Sequence, residues 1–191
     1  MASIISTDKL IKTVLTWFLA AAVLLVGLGM SGLHPSAAFA QTDAEREYGI
    51  KAGFFFNFGR YVEWPSSAFS DNRSALKYCV YGPHSFKNIL EKFRERTVSG
   101  RPVSLYFINS ISELDHCHLV YLSRANSGSF SEVLRTIENA PILTVTEERG
   151  RGIISLFTES NKIKMEISVA RSAKAGLKIS SRLLKLAVVI D

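Results

Sequence analysis

Strand and helix patterns alternate along residues 76–145, and this alternation restricts the possible fold more than any other feature of the sequence. Short apolar runs of the kind found in buried strands are predicted at 76–82, 102–108, 116–123 and 142–145. Helical spacing of apolar residues separates them at 86–96 and 130–137. Such alternation favours a parallel sheet covered on both faces. The predicted fold class is therefore α/β: a three-layer sandwich with a mostly parallel sheet and helices on both faces.

The segments on either side of this region extend the prediction. Residues 44–64 contain no proline and carry apolar side chains at helical spacing, which predicts an opening helix that ends before Pro65. Residues 152–159 and 162–168 are predicted to form a C-terminal antiparallel hairpin joined by Ser160 and Asn161. A helix at 169–175 and a last helix that begins at Ser180 or Ser181 complete the domain.

The first forty residues have the pattern of a secretory signal peptide. Lys9 and Lys12 precede an apolar run over 13–30, and small residues two positions apart close the segment at Ala40. A retained membrane anchor is the alternative, although glycines and a proline interrupt the end of the run. We predict a signal peptide at 1–40, cleaved after Ala40, and one exported, periplasmic domain at 41–191.

The charge of the chain argues against nucleic acid as a partner. The formal net charge of +6 becomes +5 when Asp8, Lys9 and Lys12 leave with the signal peptide. The remaining charges are scattered, whereas nucleic-acid binding requires a concentrated basic surface. A solvated surface is the simpler interpretation.

Cys79 and Cys117 are the only cysteines in the sequence. In an oxidising compartment such a pair is expected to form a disulfide. The alternatives are two buried free thiols or a redox pair, although the Cys-x-x-Cys spacing of a thioredoxin-like site is absent. A doubly wound sheet makes the first and third predicted strands neighbours, which brings the two cysteines close together.

No residue pattern points to catalysis, a cofactor or a metal. His116 and His118 would share one side of a strand, but a structural zinc site needs four ligands. A nucleophile elbow and a phosphate-binding glycine loop are both missing. We therefore predict that the protein is not an enzyme.

The opening helix is unusually aromatic. Its stripe is wide enough for part of it to bind a partner or a second copy of the chain, although most such stripes are core. The residues proposed for this surface are Phe55, Phe58, Tyr61 and Trp64.

Several stretches in order along the chain resemble the YfiR family of periplasmic regulators. They lie at 50–65, 79–82, 116–123, 142–146, 152–156 and 175–187. The resemblance implies an exported regulator, often dimeric, that represses a membrane-anchored diguanylate cyclase by binding its periplasmic domain. Repression would lower cyclic-di-GMP and biofilm formation, and an outer-membrane lipoprotein could relieve it. The resemblance also implies a disulfide between Cys79 and Cys117.

A periplasmic small-molecule binding protein is the competing interpretation. Its ligand would occupy the crevice at the carboxyl ends of the strands, bordered by residues 81–83 and 123–126.

Overall fold

A computed structural model describes residues 42–82 and 87–191, so the predicted signal peptide and its cleavage site lie outside the described residues. The strands are β1 (Val62–Glu63), β2 (Leu76–Tyr81), β3 (Thr97–Val98), β4 (Arg101–Ile108), β5 (Leu119–Leu122), β6 (Leu143–Thr146), β7 (Ile154–Glu159), β8 (Lys162–Ser168), β9 (Lys178–Ile179) and β10 (Val188–Ile190). The helices are α1 (Asp43–Phe58), α2 (Lys87–Leu90), α3 (Phe130–Thr136), α4 (Val169–Lys174) and α5 (Ser181–Leu184).

Eight strands form one mostly parallel sheet in the order β10-β8-β7-β6-β5-β2-β4-β3. β2 lies between β4 and β5 and pairs with both in parallel, as a doubly wound sheet requires. β7 and β8 form the antiparallel hairpin. The predicted α/β sandwich is therefore confirmed. A separate two-stranded sheet pairs β1 with β9.

The two faces of the sheet carry different cores. Tyr78 and Val80 of β2 point into a cluster that α1 covers, because alternate strand residues share a face. Cys79 and Tyr81 point into a second cluster, to which α3 contributes Phe130 and Val133. Helices therefore cover both faces, and the core lies in two layers.

α1 begins as its sequence indicates but ends earlier than predicted. Thr42 and Glu45 form a capping box, in which each side chain accepts a hydrogen bond from the other residue's backbone N–H. At the other end, the Tyr78 hydroxyl donates to the carbonyl of Phe56 at 2.8 Å, a carbonyl that the next helical turn would use. A Cβ atom at Gly59 would lie 2.2 Å from that hydroxyl oxygen, so the close approach requires glycine. The chain turns at Gly59, and the predicted helix over 59–64 is wrong.

Other elements differ from prediction mainly in length. The helix predicted at 86–96 consists of α2 and a 3-10 turn at Glu91–Phe93, while Phe86 lies outside the described residues. The last helix starts at Ser181 with Ser180 as its cap, but it ends at Leu184. After it comes β10, which the sequence did not predict.

The hairpin between β7 and β8 has the predicted turn. Ser160 and Asn161 have φ angles of 50° and 59°, the pair of positive values that a tight two-residue hairpin turn uses. Met165 and Ile167 face the core. Glu166, on the other face of β8, is also buried, and Arg149 crosses to it and donates two hydrogen bonds to its carboxylate.

Candidate protein-interaction surface

The structure divides the four aromatic residues proposed for a partner surface into two pairs. Phe55 is fully buried, and its ring makes edge contacts with Tyr78 and Tyr121 at centroid distances of 5.4 and 5.5 Å. Phe58 is also buried. Placing these two residues on an exposed surface is therefore wrong, since both belong to the core. Tyr61 and Trp64 are half-buried and pack against the edge of that core.

An apolar groove lies between the outer side of α1 and α5. It has a volume of about 420 Å³ and is lined by Ile50, Gly53, Phe54, Asn57, Phe58, Tyr61, Leu183 and Leu186. We call it the α1–α5 groove. Ile50 is 46% exposed and Leu186 is 72% exposed, which is unusual for large aliphatic side chains. Two of the proposed residues therefore line the groove: Tyr61, which is half-buried, and Phe58, which contributes from the core.

The apolar surface continues into the strand that follows. β10 begins two residues after Leu186, and its Val188 and Val189 are 60% and 49% exposed. β10 pairs with β8 on one side, and among the described residues no strand pairs with its other side, which is an open edge. Open edges with apolar side chains are typical sites for pairing with another chain.

The charges on the α5 side of the groove are basic. Arg182 and Lys185 lie on or next to α5 and are exposed, whereas Lys178 in β9 lies opposite Glu63 of β1. The sequence has no acidic residue between positions 167 and 190. A complementary partner would therefore present an apolar centre with acidic groups at its rim.

A buried ionic cluster fixes α1 against the carboxyl ends of β5 and β6. The Glu147 carboxylate accepts hydrogen bonds from Lys51 Nζ at 2.8 Å, the Tyr121 hydroxyl at 2.9 Å and the Arg124 backbone N–H at 2.7 Å. Burial alone would lower the pKa of Lys51, but hydrogen bonds and charges from Glu147 and Glu47 outweigh burial and raise the pKa. Because Lys51 stays charged and paired, the cluster holds α1 in place and keeps the groove in shape.

His118 forms a second polar cluster, near the amino ends of β2 and β5. Its Nδ1 accepts from the Lys77 backbone N–H at 3.0 Å, so Nε2 carries the proton and donates to the Ala68 carbonyl at 2.9 Å. Its ring stacks on Phe69 at 4.5 Å, and Arg101 covers the Phe69 ring at 3.7 Å. Burial lowers the pKa of His118, the Ala68 hydrogen bond opposes this, and the charges of Lys77 and Arg101 lower it further.

These contacts bear on the metal hypothesis for His116 and His118. Both ring nitrogens of His118 already have partners, so neither can bind an ion without breaking a hydrogen bond. His116 is exposed at the end of a 3-10 helix rather than in a strand beside His118. Within residues 42–82 and 87–191, no group of three or more His, Cys, Asp or Glu side chains is arranged to hold a metal.

The predicted disulfide between Cys79 and Cys117 is present. Cys79 lies in β2, Cys117 comes two residues before β5, and their Cα atoms are 5.9 Å apart. The pairing of β2 with β5 brings the two residues within bonding distance, as the doubly wound order predicted. Both sulfur atoms are buried in the cluster on the α3 face.

The crevice at the carboxyl ends of the strands is described only in part. Tyr81 and Ser123 are buried there, and the backbone N–H of Arg124 is bound to Glu147. Pro83, which the sequence placed at the rim of the crevice, lies outside the described residues. The ligand-binding hypothesis for this crevice remains a prediction.

Sequence reasoning missed the residues that complete the α1–α5 groove. Leu183, Leu186 and Ile50 line the groove but were not among the residues proposed for a partner surface. The available signal was the three-residue spacing of Leu183 and Leu186, which places both on one side of the last helix. Only the fold shows that this side faces α1.

Together these features describe a three-layer α/β domain, bridged by one disulfide, with an apolar groove on its α1 side. A family model described as YfiR/HmsC-like matches residues 48–188, which is most of the chain. The chain belongs to the YfiR/HmsC-like family, and the resemblance seen in the sequence is confirmed. A search of curated proteins finds no significant match. Among the described residues, no helix has the length and apolar character needed to cross a bilayer.

Proposed function

We propose that the protein is an exported, non-catalytic regulator that represses a membrane-bound diguanylate cyclase from the periplasmic side. Repression lowers cyclic-di-GMP and limits biofilm formation. Membership of the YfiR/HmsC-like family supports this class of function. The observation that carries the proposal is the exposed α1–α5 groove, because a stable domain rarely leaves large aliphatic side chains open without a partner.

The groove accounts for binding in physical terms. Covering Ile50, Leu186 and Tyr61 removes apolar surface from water at about 25 cal/mol per Å². Arg182 and Lys185 attract a partner with an acidic rim and exclude one with a basic rim. The periplasmic domain of the cyclase is the proposed partner.

Repression requires that the regulator distinguish between two conformations of the cyclase. A ligand shifts a two-state equilibrium only by its difference in affinity for the two states. A tenfold preference for the inactive state corresponds to about 1.4 kcal/mol. Rigid attachment of α1 through Lys51 and Glu147 supports such discrimination, because a groove of fixed shape fits one conformation better than another.

The same surface offers a way to relieve repression. An outer-membrane lipoprotein that covers the α1–α5 groove would compete directly with the cyclase. A homodimer formed through the groove would do the same, so dimerisation and repression would exclude each other. The periplasmic location is supported by the Cys79–Cys117 disulfide, since such bonds persist in oxidising compartments.

Titration of the cyclase periplasmic domain with protein purified from the periplasm tests the proposal. Leu186→Glu places a charge in the groove on a side chain that is 72% exposed, so the fold should be kept. We expect its affinity for the cyclase domain to fall at least tenfold, and cyclic-di-GMP to rise in cells that carry it. Tyr106→Glu is the matched control, because Tyr106 is 44% exposed on β4, outside the groove. Equal affinity of Leu186→Glu and wild type, or equal loss in both variants, would contradict the proposal.

A Phe55→Glu variant would not test this surface. Phe55 is fully buried, so a charge there would unfold the domain and reveal nothing about binding.

A further inference from the structure

A second cleft, separate from the α1–α5 groove, lies between α3 and α4. Its volume is about 490 Å³, within the range of small-molecule sites. One wall is formed by α3 and the residues after it, and the other by the 150–153 loop and α4. The proposed regulatory function makes no use of this cleft.

The cleft concentrates positive charge. Four of its lining residues are cations, namely Arg135, Arg151, Arg171 and Lys174, whereas Glu138 is its one acidic residue. Glu138 is already paired with Lys174. Among the described residues, the Arg135 side chain has no hydrogen bond or ion pair that would neutralise it. Cations that line one cleft repel each other, and an anion between them removes that repulsion.

Two of the arginines are held in place while they keep free donors. Arg171 Nη1 donates to the Gly152 carbonyl at 3.1 Å, and Arg151 Nη2 donates to Ser131 Oγ at 2.9 Å. Within the described structure, Arg151 Nε is buried without a hydrogen-bond partner, and it forms a long ion pair with Glu148 at 3.7 Å. A guanidinium has five N–H donors, so each anchored arginine can still bind an anion with several of them.

The floor of the cleft is apolar. Ile137, Ile142 and Ile153 line it and are almost fully buried. The Thr144 hydroxyl, also in the lining, accepts a hydrogen bond from the Ile153 backbone N–H at 2.8 Å. The cleft therefore combines a cationic rim with an apolar base.

We propose that this cleft binds a small phosphate monoester with an apolar body. The phosphate oxygens would lie among Arg135, Arg151 and Arg171, because guanidinium groups match the geometry of phosphate and bind it through paired hydrogen bonds. The apolar body would cover the isoleucine floor. Free inorganic phosphate shares the headgroup chemistry but lacks the apolar body, so the two can be distinguished.

Calorimetric titration of the purified protein at low salt, repeated at physiological salt, tests this site. Phenyl phosphate should bind, inorganic phosphate should bind at least tenfold more weakly, and phenol should show no binding. Salt should weaken the binding of phenyl phosphate, because the interaction is between charges. Equal affinity for phenyl phosphate and inorganic phosphate would overturn the apolar part of the proposal, and no binding of either would overturn all of it.

Variants locate the binding in the cleft. The double variant Arg135→Gln/Arg171→Gln should bind phenyl phosphate at least tenfold more weakly, with an unchanged circular dichroism spectrum. If the double variant fails to fold, the single variants Arg135→Gln and Arg171→Gln are measured in its place. Arg46→Gln is the control, since Arg46 is an exposed helical arginine outside the cleft. Unchanged affinity in the cleft variants, or an equal loss in Arg46→Gln, would show that the anion binds elsewhere.

Discussion

The two faces of the sheet are stabilised in different ways. The face under α1 has the larger cluster, in which Phe55 packs against Tyr78 and Tyr121, and Phe56 packs against Tyr78. The opposite face has a smaller cluster under a seven-residue helix, and the disulfide lies within it. The covalent bond thus occurs where less apolar surface is buried. A helix as aromatic as α1 can fill its side of the core and still leave an apolar outer side for a partner.

Removal of one aromatic ring from the α1 face should have the largest effect on stability. Phe55→Ala should lower the free energy of unfolding by about 3–5 kcal/mol, because it leaves a cavity between Tyr78 and Tyr121. Denaturant unfolding of the oxidised protein measures this. Phe54→Ala is the control. Because Phe54 is half-buried at the groove, its removal should lower the free energy of unfolding by only about 1 kcal/mol. Similar losses in both variants would mean that the two sides of α1 do not differ.

Removal of the disulfide tests the other face. Cys79→Ala/Cys117→Ala should lower the free energy of unfolding by about 2–4 kcal/mol, because the bond closes a loop of 38 residues in the unfolded chain. The measurement is denaturant unfolding with and without reductant. Reductant should destabilise the wild type and leave the double variant unchanged. A loss below about 1 kcal/mol would show that the smaller core is sufficient without the bond.

The smallest effect on stability is expected near the amino ends of β2 and β5, where His118 connects β2 to the Ala68 carbonyl. The folded state lowers the pKa of His118, so the unfolded chain binds the proton more tightly. The contribution of His118 to the free energy of unfolding is therefore fully present above the ordinary pKa of about 6.5. It is lost as the pH falls below that value, toward the lower pKa of the folded state. The size of the loss is set by the difference between the two pKa values, and we expect it to be smaller than the effects of Phe55→Ala and of disulfide removal.

Unfolding curves between pH 7.5 and 5 measure the contribution of His118. His118→Gln should be less stable at neutral pH but should lose less stability on acidification than the wild type. His116→Gln should keep the wild-type pH dependence, because His116 is exposed. An identical pH dependence in His118→Gln and wild type would exclude His118 as the titrating group.

The sequence predicted the mostly parallel sheet because buried strands are short apolar runs with helices between them, and the doubly wound order predicted that β2 and β5 are neighbours. β2, β4, β5, β6 and the β7–β8 hairpin all lie where expected. β1 and β9 were missed because two residues carry no periodic pattern, and their pairing depends on the chain turning at Gly59. β10 was missed because Val188 and Val189 follow a leucine-rich segment that has helical spacing.

The candidate surface was less predictable than the fold. An aromatic stripe shows that a helix has an apolar side, but it does not show which of two neighbouring apolar sides faces the sheet. Phe55 and Phe58 are core residues, and Tyr61 lies at the groove only because the helix ends before it. Contacts between α1 and α5 join residues more than 120 positions apart, which no local pattern reveals.

Hydrogen–deuterium exchange of the protein, free and bound to the cyclase periplasmic domain, tests the central claim most directly. Binding through the α1–α5 groove should slow exchange in residues 50–61 and 183–190 and leave β3 and β4 unchanged. Protection confined to β3 and β4, or no protection in either groove segment of a saturated complex, would contradict the claim that this groove holds the cyclase.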